Sequence, residues 1–221
     1  QLLRFLHETR YLQERKGISK TGAWYQDVVY CLPLNRFRHF FRMNPDSFLF
    51  ILAKINNHAV FHNNSKKKQA DPMLQLFVAL RRMGSEGSVG AAVMSTSQLF
   101  GIGEGTVCLY TNRVCVALQS LFSEVVVWQT PEEKDAMRSR LHNAGFSIFS
   151  ECIGIVDGTL IPFKWRPYPK ENMAIQYRNY RKSRYGLQAT VVCDDMARIL
   201  FFHSTFPGSS HDARCFSPIK L

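Results

Sequence analysis

The spacing of apolar residues changes once along this 221-residue chain, and the change divides it. Up to Asn143-Ala144-Gly145 the apolar residues recur at helical intervals. From Cys152 onward the interval is that of strands. Cys152-Ile153-Gly154-Ile155-Val156 is a short continuous apolar run, the mark of a buried strand. A helical pattern followed by a strand pattern predicts an α+β chain, with an all-helical domain over residues 1–145 and a sheet-containing domain over 146–221.

The first part carries a succession of helix signals. Leu2, Leu3, Leu6 and Leu12 among Arg and Glu predict a short amphipathic helix over residues 1–16. Asn44 before Pro45 predicts an N-cap and first turn, with a helix to about Asn56 that buries Phe48, Leu49, Leu52 and Ile55. The Lys66-Lys67-Lys68 run reads as an exposed loop. Asp71-Pro72 opens another helix, with Leu74, Phe77, Val78 and Leu80 on its buried side. Ser88 to Phe100, the turn Gly101-Ile102-Gly103, and Glu104 to Phe122 form a helix-turn-helix-like pair at about 88–122. Two readings stand here: a second helix that enters a DNA major groove, or a plain helical hairpin. Arg113 is the one basic residue among the exposed candidates on that helix, where a recognition helix carries more Arg, Lys, Asn or Gln near its start. Thr130-Pro131-Glu132-Glu133 starts a further helix, with Thr as cap and acids at the positive end of the dipole.

In the second part, Tyr185 to Cys193 and Arg198 to Ser204 predict two more strands, joined by a hairpin turn at Asp194-Asp195-Met196-Ala197. After Phe206-Pro207-Gly208, Ser209 or Ser210 is expected to cap a last helix carrying His211, Asp212, Arg214 and Phe216.

The formal net charge is +11, which points to a polyanionic partner: DNA, RNA or an anionic membrane surface. The excess is spread along the chain. Residues 1–150 carry 18 Lys and Arg against 11 Asp and Glu, and residues 151–221 carry 10 against 6, so there is no detachable basic tail. Basic residues crowd in one stretch, where Lys164, Arg166, Lys170, Arg178, Arg181, Lys182 and Arg184 stand against the single acid Glu171. Trp165, Tyr168, Tyr177, Tyr180 and Tyr185 are interleaved with them. This suits contact with phosphates supported by aromatic rings, against the plainer reading of a solvated hairpin arm. The six cysteines form no C-x-x-C pair, so a zinc ribbon is not indicated, and they fit reduced core positions in the cytosol or nucleus. The seven histidines show no H-E-x-x-H spacing, which argues against zinc hydrolysis. No secretory signal is evident, and no uncharged apolar run reaches membrane-spanning length, so no membrane role is expected.

Two carboxylates carry the chemistry. Asp157 ends the apolar run and is followed by Gly158-Thr159, a costly place for a charge unless something pairs with it. A metal ion is one partner; a backbone cap or buried arginine is another. Asp212 follows a Pro-Gly turn at the start of the last helix, where an aspartate also suits the helix dipole. Two carboxylates that converge on one strand end would hold Mg²⁺ or Mn²⁺, because hard cations take oxygen ligands.

Four blocks occur in order: Gly154-Ile155-Val156-Asp157-Gly158-Thr159, then Tyr177-Arg178-Asn179-Tyr180-Arg181-Lys182, then Val192-Cys193-Asp194, then Pro207-Gly208-Ser209-Ser210-His211-Asp212-Ala213-Arg214. Together they resemble the DDE endonuclease domain of Harbinger-type transposases and their domesticated relatives, strongly over 146–221 and in layout alone before it. The resemblance implies an RNase H-like mixed β-sheet flanked by helices. It makes Asp157 and Asp212 the catalytic, metal-binding acids of a two-metal phosphodiester cleavage with Mg²⁺ or Mn²⁺. It implies DNA as partner, with Lys164, Arg166, Arg178, Arg181, Lys182 and Arg184 as contacts, a nuclear location with or without a cytoplasmic pool, and a separate Myb-like protein for target recognition. The family's later blocks, a Gly-Asp-x-x-Tyr-type strand and a final acidic helix, would lie beyond residue 221. The domain is therefore expected to be partial here, without strong nuclease activity. The rival expectation is a non-catalytic DNA- or protein-binding relative that kept the scaffold.

Overall fold

The computed structural model describes residues 22–85, 92–167 and 173–217. The helix expected over residues 1–16 lies outside them, as do Tyr168, Lys170 and Glu171 of the basic stretch. The chain is α+β, as its apolar spacing requires, and it divides after Leu121 into two compact units.

The first unit is helical: α1 (Leu34–Phe41), α2 (Pro45–Ile55), α3 (Pro72–Met83), α4 (Val93–Phe100) and α5 (Glu104–Gln119). Its centre is α3, where six consecutive residues from Gln75 to Leu80 are buried. A helix buried all round sits inside a bundle, whereas a one-sided stripe would place it at the surface. Asp71 caps α3 by accepting from the Met73 amide at 2.8 Å. Phe77 is the hub of the core. It stacks on Phe48 at 4.2 Å between ring centroids and meets Phe41 at 4.8 Å and Phe37 at 6.1 Å. In α2, Phe48 and Ile55 are buried and Leu52 is half-buried, but Leu49 is 52% exposed, contrary to expectation. The helix meets its neighbours over a narrower stripe than its apolar content suggests. The pair α4–α5 forms around Gly101, whose φ of 63° closes α4 in the left-handed region that glycine enters without strain. Val107, Tyr110 and Val114 of α5 are buried, with Ala117 beside them.

The second unit holds α6 (Phe122–Val125), α7 (Pro131–Asn143), the strands β1 (Ile155–Pro162), β2 (Arg178–Asn179), β3 (Arg184–Cys193) and β4 (Ile199–Pro207), and the short α8 (Asp212–Phe216). The strand β3 is central. It pairs with β1 from Ile155 opposite Cys193 to Pro162 opposite Gly186, and with β4 from Leu187 opposite Pro207 to Cys193 opposite Ile199. Its first two residues also pair with β2. All these pairings are antiparallel. A meander joined by a tight turn needs no crossover, so antiparallel pairing is what local connections give.

The division into compact units falls after Leu121, and within the second unit α7 is fastened to the β3–β4 turn. Arg140 makes a two-pronged bond to Asp195, at 2.6 and 2.8 Å. Arg198 reaches Glu133 at 2.7 Å and Asp194 at 2.6 Å. Glu133 also closes the capping box of α7, taking the Thr130 amide at 3.0 Å while its own amide donates to Thr130 Oγ1 at 3.3 Å. Cysteine burial also departs from the sequence reading: Cys215 is buried, but Cys31, Cys108 and Cys115 are exposed. Among the described residues no helix is long and apolar enough to cross a membrane.

Candidate functional site

Asp212 is placed by a turn with no room for side chains. At Gly208 an added Cβ would lie 2.6 Å from the Tyr177 carbonyl oxygen and 2.8 Å from that of Gly186. The Gly208 amide donates to Gly186 O at 3.0 Å, and its carbonyl accepts from Asn179 Nδ2 at 3.0 Å. The Ser209 amide donates to Gln176 O at 3.0 Å. The turn is thus fixed to β3 and to the segment that leads into β2. His211 caps α8, its ring nitrogen accepting from the Ala213 amide at 3.4 Å, in place of the serine expected there. Asp212 opens the helix, and Gln188 Nε2 on β3 donates to its Oδ1 at 2.7 Å. Thr190, two residues along the same face of β3, donates its hydroxyl to Cys215 O at 3.1 Å and holds the far end of α8. Burial, and then the charge of Asp212, pushes the Cys215 thiol pKa up.

Asp157 stands in the middle of β1, opposite Val191, and is exposed. Its Oδ1 accepts from the Gly158 amide at 2.7 Å. An added Cβ on Gly158 would meet Asp212 Oδ1 at 2.7 Å and Gln188 Nε2 at 3.1 Å, so Asp212 covers the Gly158 face of the strand. Neighbouring side chains of a strand point to opposite faces. Asp157 and Asp212 therefore sit beside the same stretch of β1 but approach it from opposite sides. From Gly158 onward burial agrees with this alternation, with Leu160 buried on the Asp212 side and Thr159 and Ile161 exposed on the Asp157 side, whereas Ile155 and Val156, expected to be buried, are both exposed.

Each carboxylate by itself suits a hard divalent cation, although the two lie on opposite faces of β1. Asp212 and Asp157 supply carboxylate oxygens. Beside Asp212, Gln188 is 4% exposed and its Oε1 is buried without a hydrogen-bond partner among the described residues. Among those residues no group of three or more His, Cys, Asp or Glu is close enough to hold a metal. Sequence reasoning missed Gln188, although a signal was there. Gln188 and Thr190 are polar interruptions two apart in an apolar strand, so they share a face.

Lys164, Arg166, Arg178, Arg181, Lys182 and Arg184 are all exposed. The structure gathers them at one end of the sheet. The Phe163 amide donates to Tyr185 O at 2.8 Å, extending the β1 side past Pro162. On β2, Arg178 pairs with Tyr185 and Asn179 with Arg184, so residues 180–183 form a tight hairpin loop. Asn179 Oδ1 accepts from the Lys182 amide at 2.9 Å, and Ser183 takes a φ of 51°. Asn179 serves twice, since its amide nitrogen also holds Gly208. The hairpin and the turn before Asp212 are therefore joined through one side chain.

Asp194, from the third block, serves the turn. It is 2% exposed, and it accepts from the Met196 and Arg198 amides at 2.9 and 2.8 Å and from the Arg198 guanidinium. In the helical unit, α5 opens with exposed Glu104 and Gly105, and its outward face includes Cys108, Leu109 and Val116. That surface is not basic. This end of α5 lacks the donors that a major-groove helix presents.

Residues 156–221 match the family model of the DDE superfamily endonuclease. The match supports a transposase-derived, nuclease-type domain in the second unit, and it takes in both Asp157 and Asp212. Comparison with curated proteins and with solved structures gave no match.

Proposed function

We propose that the chain is a metal-dependent DNA endonuclease of Harbinger transposase-derived type. One observation carries this reading. A carboxylate is held over the glycine that follows Asp157, and the turn that holds it is tied through Asn179 to an exposed cationic hairpin. In this reading Asp157 and Asp212 hold Mg²⁺ or Mn²⁺, whose chemistry when bound is to lower the pKa of a coordinated water and to neutralise the departing oxygen in a two-metal cleavage. The chain's own residues do the rest. Gln188 fixes the rotamer of Asp212 by its amide bond. The small size of Gly158 lets the carboxylate lie against the strand. Lys164, Arg166, Arg178, Arg181, Lys182 and Arg184 neutralise backbone phosphates beside it.

The opposed approach of the two aspartates favours a second reading, a DNA-binding relative without catalysis. Nicking of supercoiled plasmid with Mg²⁺ or Mn²⁺ separates the two. On the first reading the wild type nicks in a metal-dependent way, and Asp157→Ala and Asp212→Ala each reduce the rate by about 100-fold or more, the cost of losing a group on which charge stabilisation depends. Equal activity in all three proteins removes the metal-site assignment. DNA binding without nicking in the wild type selects the second reading. A nuclear location and a Myb-like partner accord with a DNA substrate, and imaging and co-purification of a tagged chain test them.

A further inference from the structure

Two aromatic rings of the cationic arm stand in solvent. Trp165 is 76% exposed and Tyr180 is 65% exposed. The arm's other described rings are occupied: Phe163 packs on Tyr177 at 5.7 Å, and Tyr185 is half-buried beneath the Arg166 guanidinium at 5.8 Å. Trp165 and Tyr180 each carry a cation over the ring, Lys164 Nζ at 5.6 Å and Arg178 Cζ at 5.2 Å. A ring has two faces, and a cation covers one. The strand pairing brings both segments to one place, because Phe163 and Arg178 both bond or pair with Tyr185.

Holding phosphates needs only the cations. An exposed tryptophan adds nothing to backbone contact, and inside a duplex every base already has a neighbour on each face, so a surface ring finds nothing to stack on. A single strand offers both a phosphate chain and free base faces. No Asp or Glu occurs from Phe163 to Pro167 or from Met173 to Arg184, so nothing in the described arm repels a polyanion. Asn179, one of the arm's amide side chains, is spent on Lys182 and Gly208, and stacking reads no base identity because every base has a π-face.

We propose that Trp165 and Tyr180 form a stacking platform for unpaired bases, and that the DNA this arm takes contains a single-stranded stretch, bound without sequence preference. This rests on the DNA-binding reading above and deepens it. The test is equilibrium binding of the full chain to a labelled oligothymidylate and to a labelled duplex of equal length, in EDTA so that nothing is cleaved. Intrinsic tryptophan fluorescence is followed alongside. The wild type is expected to bind the single strand more tightly, with fluorescence quenched. Trp165→Ala and Tyr180→Ala should each weaken single-strand binding by roughly 10-fold or more. Duplex affinity and the salt slope should hold, and Trp165→Phe should retain most of the binding. Both side chains are exposed, so circular dichroism should be unchanged in every variant.

Equal losses on duplex and single strand, or no loss on either, overturn the stacking platform and leave the DNA reading standing. Quenching that persists in Trp165→Phe, which keeps Trp24 and Trp128, also overturns it. A wild type that binds neither DNA overturns both readings and leaves the exposed rings to a protein partner.

Discussion

A methyl group at residue 158 would lie 2.7 Å from Asp212 Oδ1 and 3.1 Å from the Gln188 amide nitrogen. Both atoms are at the ends of side chains, but they are bonded to each other and cannot move independently. Gly158→Ala is therefore expected to lower unfolding stability by about 1–3 kcal/mol, the usual cost of overpacking. In the Asp212→Ala background the obstacle is gone, so the double variant should lose less than the sum of the two single losses. Residues in contact couple in this way, and distant ones do not. Urea unfolding of the four proteins measures the coupling without any assay of activity. Additive losses would mean that Asp212 does not lie on the Gly158 face.

Among the elements, the tie between α7 and the β3–β4 turn depends on pH. Bonds from Arg198 hold the Glu133 pKa below its ordinary value, and bonds from Arg140 do the same for Asp195. For Asp194 burial is the largest single influence and pushes the pKa up, but the Arg198 guanidinium and two backbone amides together outweigh it and bring it down. A carboxyl whose folded pKa is depressed contributes stability above its unfolded pKa and loses it as pH falls through the folded value. The melting temperature of the second unit should therefore fall as pH drops below about 4, the ordinary carboxylate range. Arg198→Met should melt lower at neutral pH and respond less to acid. Thermal melts followed by circular dichroism across an acid series test this, and parallel curves for the two proteins would refute it. The same elements mark what the sequence discloses. The capping box at Thr130 and the turn at Asp194 are legible because every partner lies within four residues. Asp157 and Asp212 stand out by their motif context. The contact of Gln188 with Asp212 depends on where β3 lies relative to α8, and the exposure of Leu49 depends on which helices face α2. Arg140 and Arg198 bind α7 to a turn more than fifty residues later, which no local pattern discloses.

At the scale of the whole molecule, the excess of 28 Lys and Arg over 17 Asp and Glu favours polyanions wherever the charges lie, so net charge alone does not locate the DNA-binding surface. Salt dependence does. Each phosphate neutralised releases counterions, and the slope of log affinity against log salt changes by about 0.7–0.9 for each such contact. Arg178, Arg181 and Lys182 flank or occupy one hairpin loop and are exposed, so replacing all three with Ala should lower the slope by about 2. Lys66, Lys67 and Lys68 remove the same formal charge from an exposed loop of the helical unit. If general charge attracts DNA, the two triple variants should behave alike. If the hairpin is the interface, the slope should fall for the hairpin variant and hold for the loop variant, with affinity following at low salt. Titration of labelled DNA across a salt series reads both slopes. A larger drop for the Lys66–Lys68 variant would move the interface to the helical unit and take the cationic hairpin out of the DNA-binding account.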